Sequence, residues 1–404
     1  RALLEHRLGL PLTAGDDGRR IEVFGREVRA AAHADEARPY LLMLNGGPGN
    51  AAQRPLRAAA WLERALQDFH VVLLDQRGTG LSTPATAQTL PADPHAQAEY
   101  LTHLRADGIV RDAEHVRRAL IGDERWSVLG QSFGGFTTCT YLSFAPHGLR
   151  EAFVTGGLPS LHRPALDVYR ATLQRLDAKI AAYLDRYPDD RERWEAVLEH
   201  VARVEERTPR GRVLTPRAVR YAGGDLGMST GAEKLHYLVE HAFTGAGGLS
   251  TAFLEGLEAE ISFATAPLYA ILHEPIYAQA EAPAWAAQRA IAEREDEPLV
   301  WGEMIFPWMF GEDPALAGLR EAADLLAAKD DWPALYDADQ LAKNEIPVVA
   351  AVYLEDVYVE SALSLETAEH VANLRVWATN EFDHDGIHVG DVLDRLIAMR
   401  RGEA

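Results

Sequence analysis

Short apolar, β-rich runs alternate with helical patterns through the first part of the chain, and this alternation limits the fold more than any other feature. "RIEVFGREVRA" (Arg20 to Ala30), "YLLMLNGG" (Tyr40 to Gly47), "HVVLLDQRG" (His70 to Gly78), "WSVLG" (Trp126 to Gly130) and "EAFVTGG" (Glu151 to Gly157) read as strands. Between the third and fourth lies "GIVRDAEHVRRALIG", in which Ile109, Val110, Ala113, Val116, Ala119 and Leu120 recur at helical spacing. Strands that are apolar almost throughout are buried on both faces. The pattern therefore predicts an α/β fold: a mainly parallel sheet with helices on both sides.

From about Leu161 the texture changes to amphipathic helices, with no strand pattern until "EIPVVAAVYLED" at Glu345 to Asp356. So long a stretch cannot be a loop in a compact domain, so it is expected to be an inserted all-helical cap domain. The expected division is a core formed by residues 1–160 and 336–404, with the helical domain at 161–335. After "VVAAVYL" the β/α pattern resumes with a helix around Ser361 to Val371, the strand "LRVWATN" and a last helix "DVLDRLIAMRR".

Composition narrows the partners. With 404 residues, 47% of them hydrophobic, the chain can bury a full core. Forty basic residues against 61 acidic ones give a net charge of -21, which disfavours nucleic acid and anionic membrane as partners. The single Cys139 excludes an internal disulfide, falls in an apolar segment where an inert buried thiol is expected, and suits a reducing cytoplasm. No apolar run approaches the roughly 18 residues of a membrane span, and "RALLEHRLGLPL" lacks the features of a signal peptide. A cytoplasmic location is expected.

"LGQSFGGF" (Leu129 to Phe136) contains a G-x-S-x-G motif, Gly130 to Gly134, between a predicted strand and a predicted helix. In that context the glycines make room for a strained turn that lifts the Ser132 hydroxyl above the sheet, with Gly135 allowing close helix–strand approach. A serine hydroxyl needs a histidine to take its proton, and the histidine needs a carboxylate to fix its tautomer. In this arrangement the order along the chain is serine, acid, histidine. Asp356, in the loop after "VVAAVYLE", is the expected acid; its neighbour Glu355 is the alternative. His384 in "EFDHDGIHVGD" is the expected base, ahead of His388, which falls almost on the last helix and could be a solvent-exposed loop residue.

Two backbone N–H groups must face the oxyanion. One is expected from Phe133, the residue after the nucleophile. The other is expected from "NGGPG" (Asn45 to Gly49), with Gly47 preferred over Gly46. Asp75 and Arg77 of "DQRG" are expected to pair with each other and brace the loops near the nucleophile. No metal or organic cofactor is expected, because no His/Cys cluster has zinc spacing and no glycine-rich phosphate loop is present.

"NGGPG", "DQRGTGLS", "GQSFGG", a large helical insertion and then Asp and His in this order resemble the prolyl aminopeptidase (proline iminopeptidase) family of α/β-hydrolase serine peptidases. "RADGIVRDAE" and "TNEFDHDGI" are similar to its longer, actinobacterial-type members. Asn45 departs from the His that many relatives carry before the two glycines. The resemblance implies an α/β-hydrolase fold, a peptide substrate with a free N-terminus, and release of its first residue, usually proline. It also implies cap carboxylates that hold the substrate amine, for which Glu274 and Glu303 are the candidates. Trp301, Phe306 and Trp308 would be apolar walls for the proline ring. An esterase, lactonase or amidase on the same triad is the alternative, since the fold does not set the substrate. A non-catalytic ligand-binding protein or scaffold is the third reading.

Overall fold

Period-two alternation in the central strands feeds two separate cores. Leu42, Leu44, Val72, Leu74 and Val128 pack into one apolar cluster, and their neighbours Leu41, Met43, Val71, Leu73 and Leu129 into the other. A sheet buried on both faces needs side chains of this kind at every position, which is why these runs are apolar throughout. The computed structural model describes residues 1–56 and 60–403.

The strands are β1 (Ala2–Pro11), β2 (Arg20–Arg29), β3 (Tyr40–Leu44), β4 (His70–Leu74), β5 (Trp126–Gln131), β6 (Leu149–Thr155), β7 (Val348–Tyr353) and β8 (Leu374–Thr379). They form one sheet in the order β1-β2-β4-β3-β5-β6-β7-β8. The pairs β1–β2 and β2–β4 are antiparallel; every other neighbouring pair is parallel. β1 is absent from the sequence reading. It is an edge strand whose only buried residue is Leu10, so it lacks the apolar run that marks the inner strands.

Between β6 and β7, the described elements from Ala165 to Leu341 are all helices or 3-10 turns. Two isolated bridges, Arg207 with Val213 and Phe243 with Leu249, are the extended pairings found there among the described residues. Among the described residues no helix is long and apolar enough to cross a membrane. Because β3, β5, β7 and β8 run parallel, the residues that follow them, Asn45 to Gly47, Ser132, Asp356 and His384, emerge on one edge of the sheet. In sheets of this class that edge is where ligands bind.

Candidate active site

Ser132 has φ 53° and ψ -125°, a left-handed conformation that a residue with a side chain adopts only under constraint. The constraint is visible. The Ser132 N–H donates to Thr155 O of β6 at 3.0 Å, and its carbonyl accepts the N–H of Gly135 at 2.7 Å. The turn also brings the helix Phe133–Phe144 hard against the strands: a Cβ at Gly134 would stand 1.8 Å from Leu44 O, and one at Gly135 2.3 Å from Gly157 O. Only glycine fits either position.

His384 is buried, and its Nδ1 lies 2.6 Å from Asp356 Oδ2. The other oxygen of Asp356 accepts the N–H groups of Tyr358 at 2.8 Å and Val359 at 3.0 Å, so the carboxylate is fully engaged and fixed. Glu355 is exposed and has no part in this arrangement. Burial disfavours a charged His384, but the charge and hydrogen bond of Asp356 outweigh it, with Glu303 adding to them, so its pKa is raised above 6.5. His388 lies on the short helix Gly386–Val389 and lines the same cavity as Ser132, half-buried rather than free in solvent. Burial lowers its pKa.

The turn after β3 lies directly over Ser132. A Cβ at Gly46 would come 3.0 Å from Ser132 Cβ, and the Gly46 N–H donates to Gln131 Oε1 at 3.1 Å. Gly47, with φ 145° and a cis bond to Pro48, lines the cavity. Its N–H has no hydrogen-bond partner among the described residues, and Phe133, at the first position of its helix, carries one of the unsatisfied N–H groups of a helix start.

Ser132, His384 and Gly47 share a cavity of about 390 Å³ with Met228, Tyr269 and Glu303 from the helical insertion. Glu303 also borders a narrow crevice with Tyr169, His273, Tyr277 and Tyr358. His273 Nε2 stands 3.8 Å from the Glu303 carboxylate, and its Nδ1 is 2.8 Å from the Tyr169 hydroxyl. Burial, then the Glu303 charge, holds the Tyr269 hydroxyl far above its ordinary range. The structure thus joins Glu303 to Ser132 and His384 in one chamber.

Glu274 is not brought to that chamber. It is buried, its Oε1 accepts the N–H of Ala287 at 2.9 Å, and its Oε2 has no partner among the described residues. Burial pushes its carboxyl up to about 7. Trp301, Phe306 and Trp308 do not line the cavity either. They pack on one another, with Trp301 and Phe306 centroids 4.6 Å apart and Phe306 and Trp308 5.7 Å apart, Trp301 and Phe306 buried in the core and Trp308 half-buried against it. The aromatic walls near Glu303 are tyrosines instead, a set that no local motif marks.

Asp75 and Arg77 do not pair with each other. Asp75 is held by Arg54 at 2.7 Å and accepts the N–H groups of Ala52 and Leu81. Arg77 pairs with Asp112 at 2.6 Å and donates to the carbonyls of Leu12 and His103. With partners on different segments, each braces a different loop. Cys139 is buried, and burial pushes its thiol up to about 12.

A model of the alpha/beta hydrolase fold matches residues 39–201. A proline iminopeptidase of Aeromonas sobria is 47% identical over 398 residues, spanning 96% of this chain and 93% of that protein. One of Aspergillus aculeatus is 34% identical over 424 residues, spanning 98% and 93%. A crystal structure of proline iminopeptidase from Mycobacterium smegmatis aligns over 98% of this chain and 97% of its own, at 16% identity and a TM-score of 0.46. On the near full-length match to the Aeromonas sobria protein, the chain belongs to the proline iminopeptidase family of α/β hydrolases.

Proposed function

We propose that this protein is a serine aminopeptidase that releases an N-terminal residue, preferentially proline, from peptides through an acyl-enzyme. Ser132 Oγ attacks the carbonyl of the first residue while His384 takes its proton. Asp356 holds the imidazole tautomer that presents Nε2 to the serine and stabilises the cation that forms. The N–H groups of Gly47 and Phe133 receive the oxyanion. His384 then gives the proton to the leaving amine, and a water activated by the same histidine releases the amino acid.

The observation that carries the aminopeptidase reading is Glu303 in the chamber of Ser132 and His384. A carboxylate there is a partner for a protonated amine, and a simple ester has no use for it. Tyr169, Tyr277 and Tyr358 flank it with apolar ring faces suited to a proline ring. Glu274, buried with one oxygen unpartnered among the described residues, is the second carboxylate proposed for the amine. Residues 161–335 act as the cap domain over a core of 1–160 and 336–404, since Met228, Tyr269 and Glu303 close the cavity from that segment. With one buried cysteine, the cytoplasm is the proposed compartment.

The test is hydrolysis of proline β-naphthylamide beside its N-acetylated form and a simple acyl ester. Turnover confined to the free-amine substrate supports the aminopeptidase; equal turnover of the blocked substrate or the ester makes the protein an esterase-like hydrolase on the same triad.

A further inference from the structure

The loop that carries His384 is bonded to the helical insertion at three successive residues. Asp383 pairs with Lys179 of the helix Ala165–Arg186. The His384 N–H donates to Gly227 O at 3.2 Å. The Asp385 carboxylate accepts the Ser229 N–H at 2.9 Å and its hydroxyl at 2.7 Å. From the core, the histidine meets the Asp356 carboxylate, the Tyr358 ring and the turn at Gly156.

A fourth tie reaches the histidine from the acid side. Tyr358, whose N–H is held by Asp356, packs its ring edge-on against the His384 imidazole with centroids 4.9 Å apart. Its hydroxyl accepts the Gly227 N–H at 2.9 Å and donates to Gly224 O at 2.8 Å. The fit at Gly227 is close: a Cβ there would stand 2.3 Å from Val357 Cγ2 and 2.6 Å from Tyr358 Cε2. The segment Gly224–Ser229 therefore touches the acid loop and the histidine loop together, while the adjacent Met228 lines the substrate cavity.

We infer that the helical insertion is part of the catalytic apparatus as well as a lid: Gly224–Ser229 clamps His384 in register with Ser132, with Tyr358 and the Ser229–Asp385 pair as positioning residues. The inference rests on the reading of His384 as the base. The core holds the imidazole through Asp356 and Tyr358; tying three consecutive residues of its loop to a second element fixes the backbone that carries it before substrate arrives. Removing the polar bonds of the clamp misplaces the base while leaving Glu303 and the tyrosine ring faces in place, so it acts on the chemical step and spares affinity.

The experiment compares Tyr358→Phe and the double variant Lys179→Met/Ser229→Ala with the wild type. It measures kcat and KM on proline β-naphthylamide, the rate of fluorophosphonate labelling of Ser132, and thermal unfolding. Arg175→Ala serves as control, because Arg175 ties the insertion to core residue Glu360 outside the histidine loop. Tyr358→Phe keeps the ring and loses both hydroxyl bonds, so it should fold. The expected result for the two clamp variants is about a tenfold fall in kcat and in labelling rate, with KM within about twofold of wild type and the control unaffected. Unchanged kcat and labelling in folded clamp variants, or an equal fall in Arg175→Ala, overturns the inference. Failure of the wild type to turn over prolyl substrates would instead overturn the underlying functional reading.

Discussion

The Gln131 side chain accepts the Gly46 N–H at 3.1 Å, tying the residue before Ser132 to the turn that carries Gly47. This bond takes Gly46 out of contention as an oxyanion donor and sets the height of the turn over Ser132. Gln131→Ala leaves the Gly46 N–H unpaired and the turn free to shift. The expected outcome is a fall in kcat of about tenfold with little change in KM, smaller than the 10²–10³-fold typical of deleting a donor outright. Steady-state kinetics on proline β-naphthylamide checks it.

Asp356 and Glu355 are neighbours with opposite fates. Asp356→Asn removes the carboxylate that fixes the His384 tautomer and should lower kcat by about 10³- to 10⁴-fold. Glu355→Gln alters an exposed side chain and should leave kcat within about twofold. Similar losses in both variants would contradict the assignment of the acid.

The pH profile follows from the same contact. Only neutral His384 accepts the serine proton, and Asp356 raises its pKa above the ordinary 6.5. The acidic limb of kcat/KM should therefore lie above pH 6.5, with activity rising as pH increases through it. His388, whose pKa burial lowers, cannot supply a limb in that position. In Asp356→Asn the limb, followed by the pH dependence of fluorophosphonate labelling, should move to lower pH.

Glu274 bears on stability. Its folded pKa of about 7 exceeds the ordinary 4.5, so at this group the folded state holds more protons than the unfolded state between those values. The Glu274 contribution to stability then declines as pH rises from about 4.5 to about 7, and stays flat above. Glu274→Gln keeps an acceptor for the Ala287 N–H and cannot ionise. Measured by denaturant unfolding, the variant should gain on wild type as pH rises from 5 to 8, by at most a few kcal/mol at about 1.4 kcal/mol per pH unit. A difference independent of pH would show that Glu274 does not titrate in this range.

The inner strands and the nucleophile turn were legible because their chemistry is local. An apolar run, a strand-turn-helix context and a required glycine all lie within a few residues of one another. That Asp356 and His384 meet was legible from their order and from the strands they follow. What escaped was the non-local part. β1 pairs on one side only and carries little apolar signal, Asp75 and Arg77 take partners from distant loops, and the tyrosines around Glu303 come from three separate segments. Trp301, Phe306 and Trp308 illustrate the converse: clustered aromatics in the sequence marked a core and not a binding wall.

The most direct test of the central claim compares kcat/KM for proline β-naphthylamide and its N-acetylated form in wild type and Glu303→Gln. If the Glu303 carboxylate holds the substrate amine, the wild type should strongly prefer the free amine. Glu303→Gln should then lose most of that preference by losing activity on the free-amine substrate, on the order of the 2–5 kcal/mol at stake when one partner of a buried charged pair is removed. Equal rates on the two substrates in wild type, or an unchanged ratio in Glu303→Gln, would contradict it.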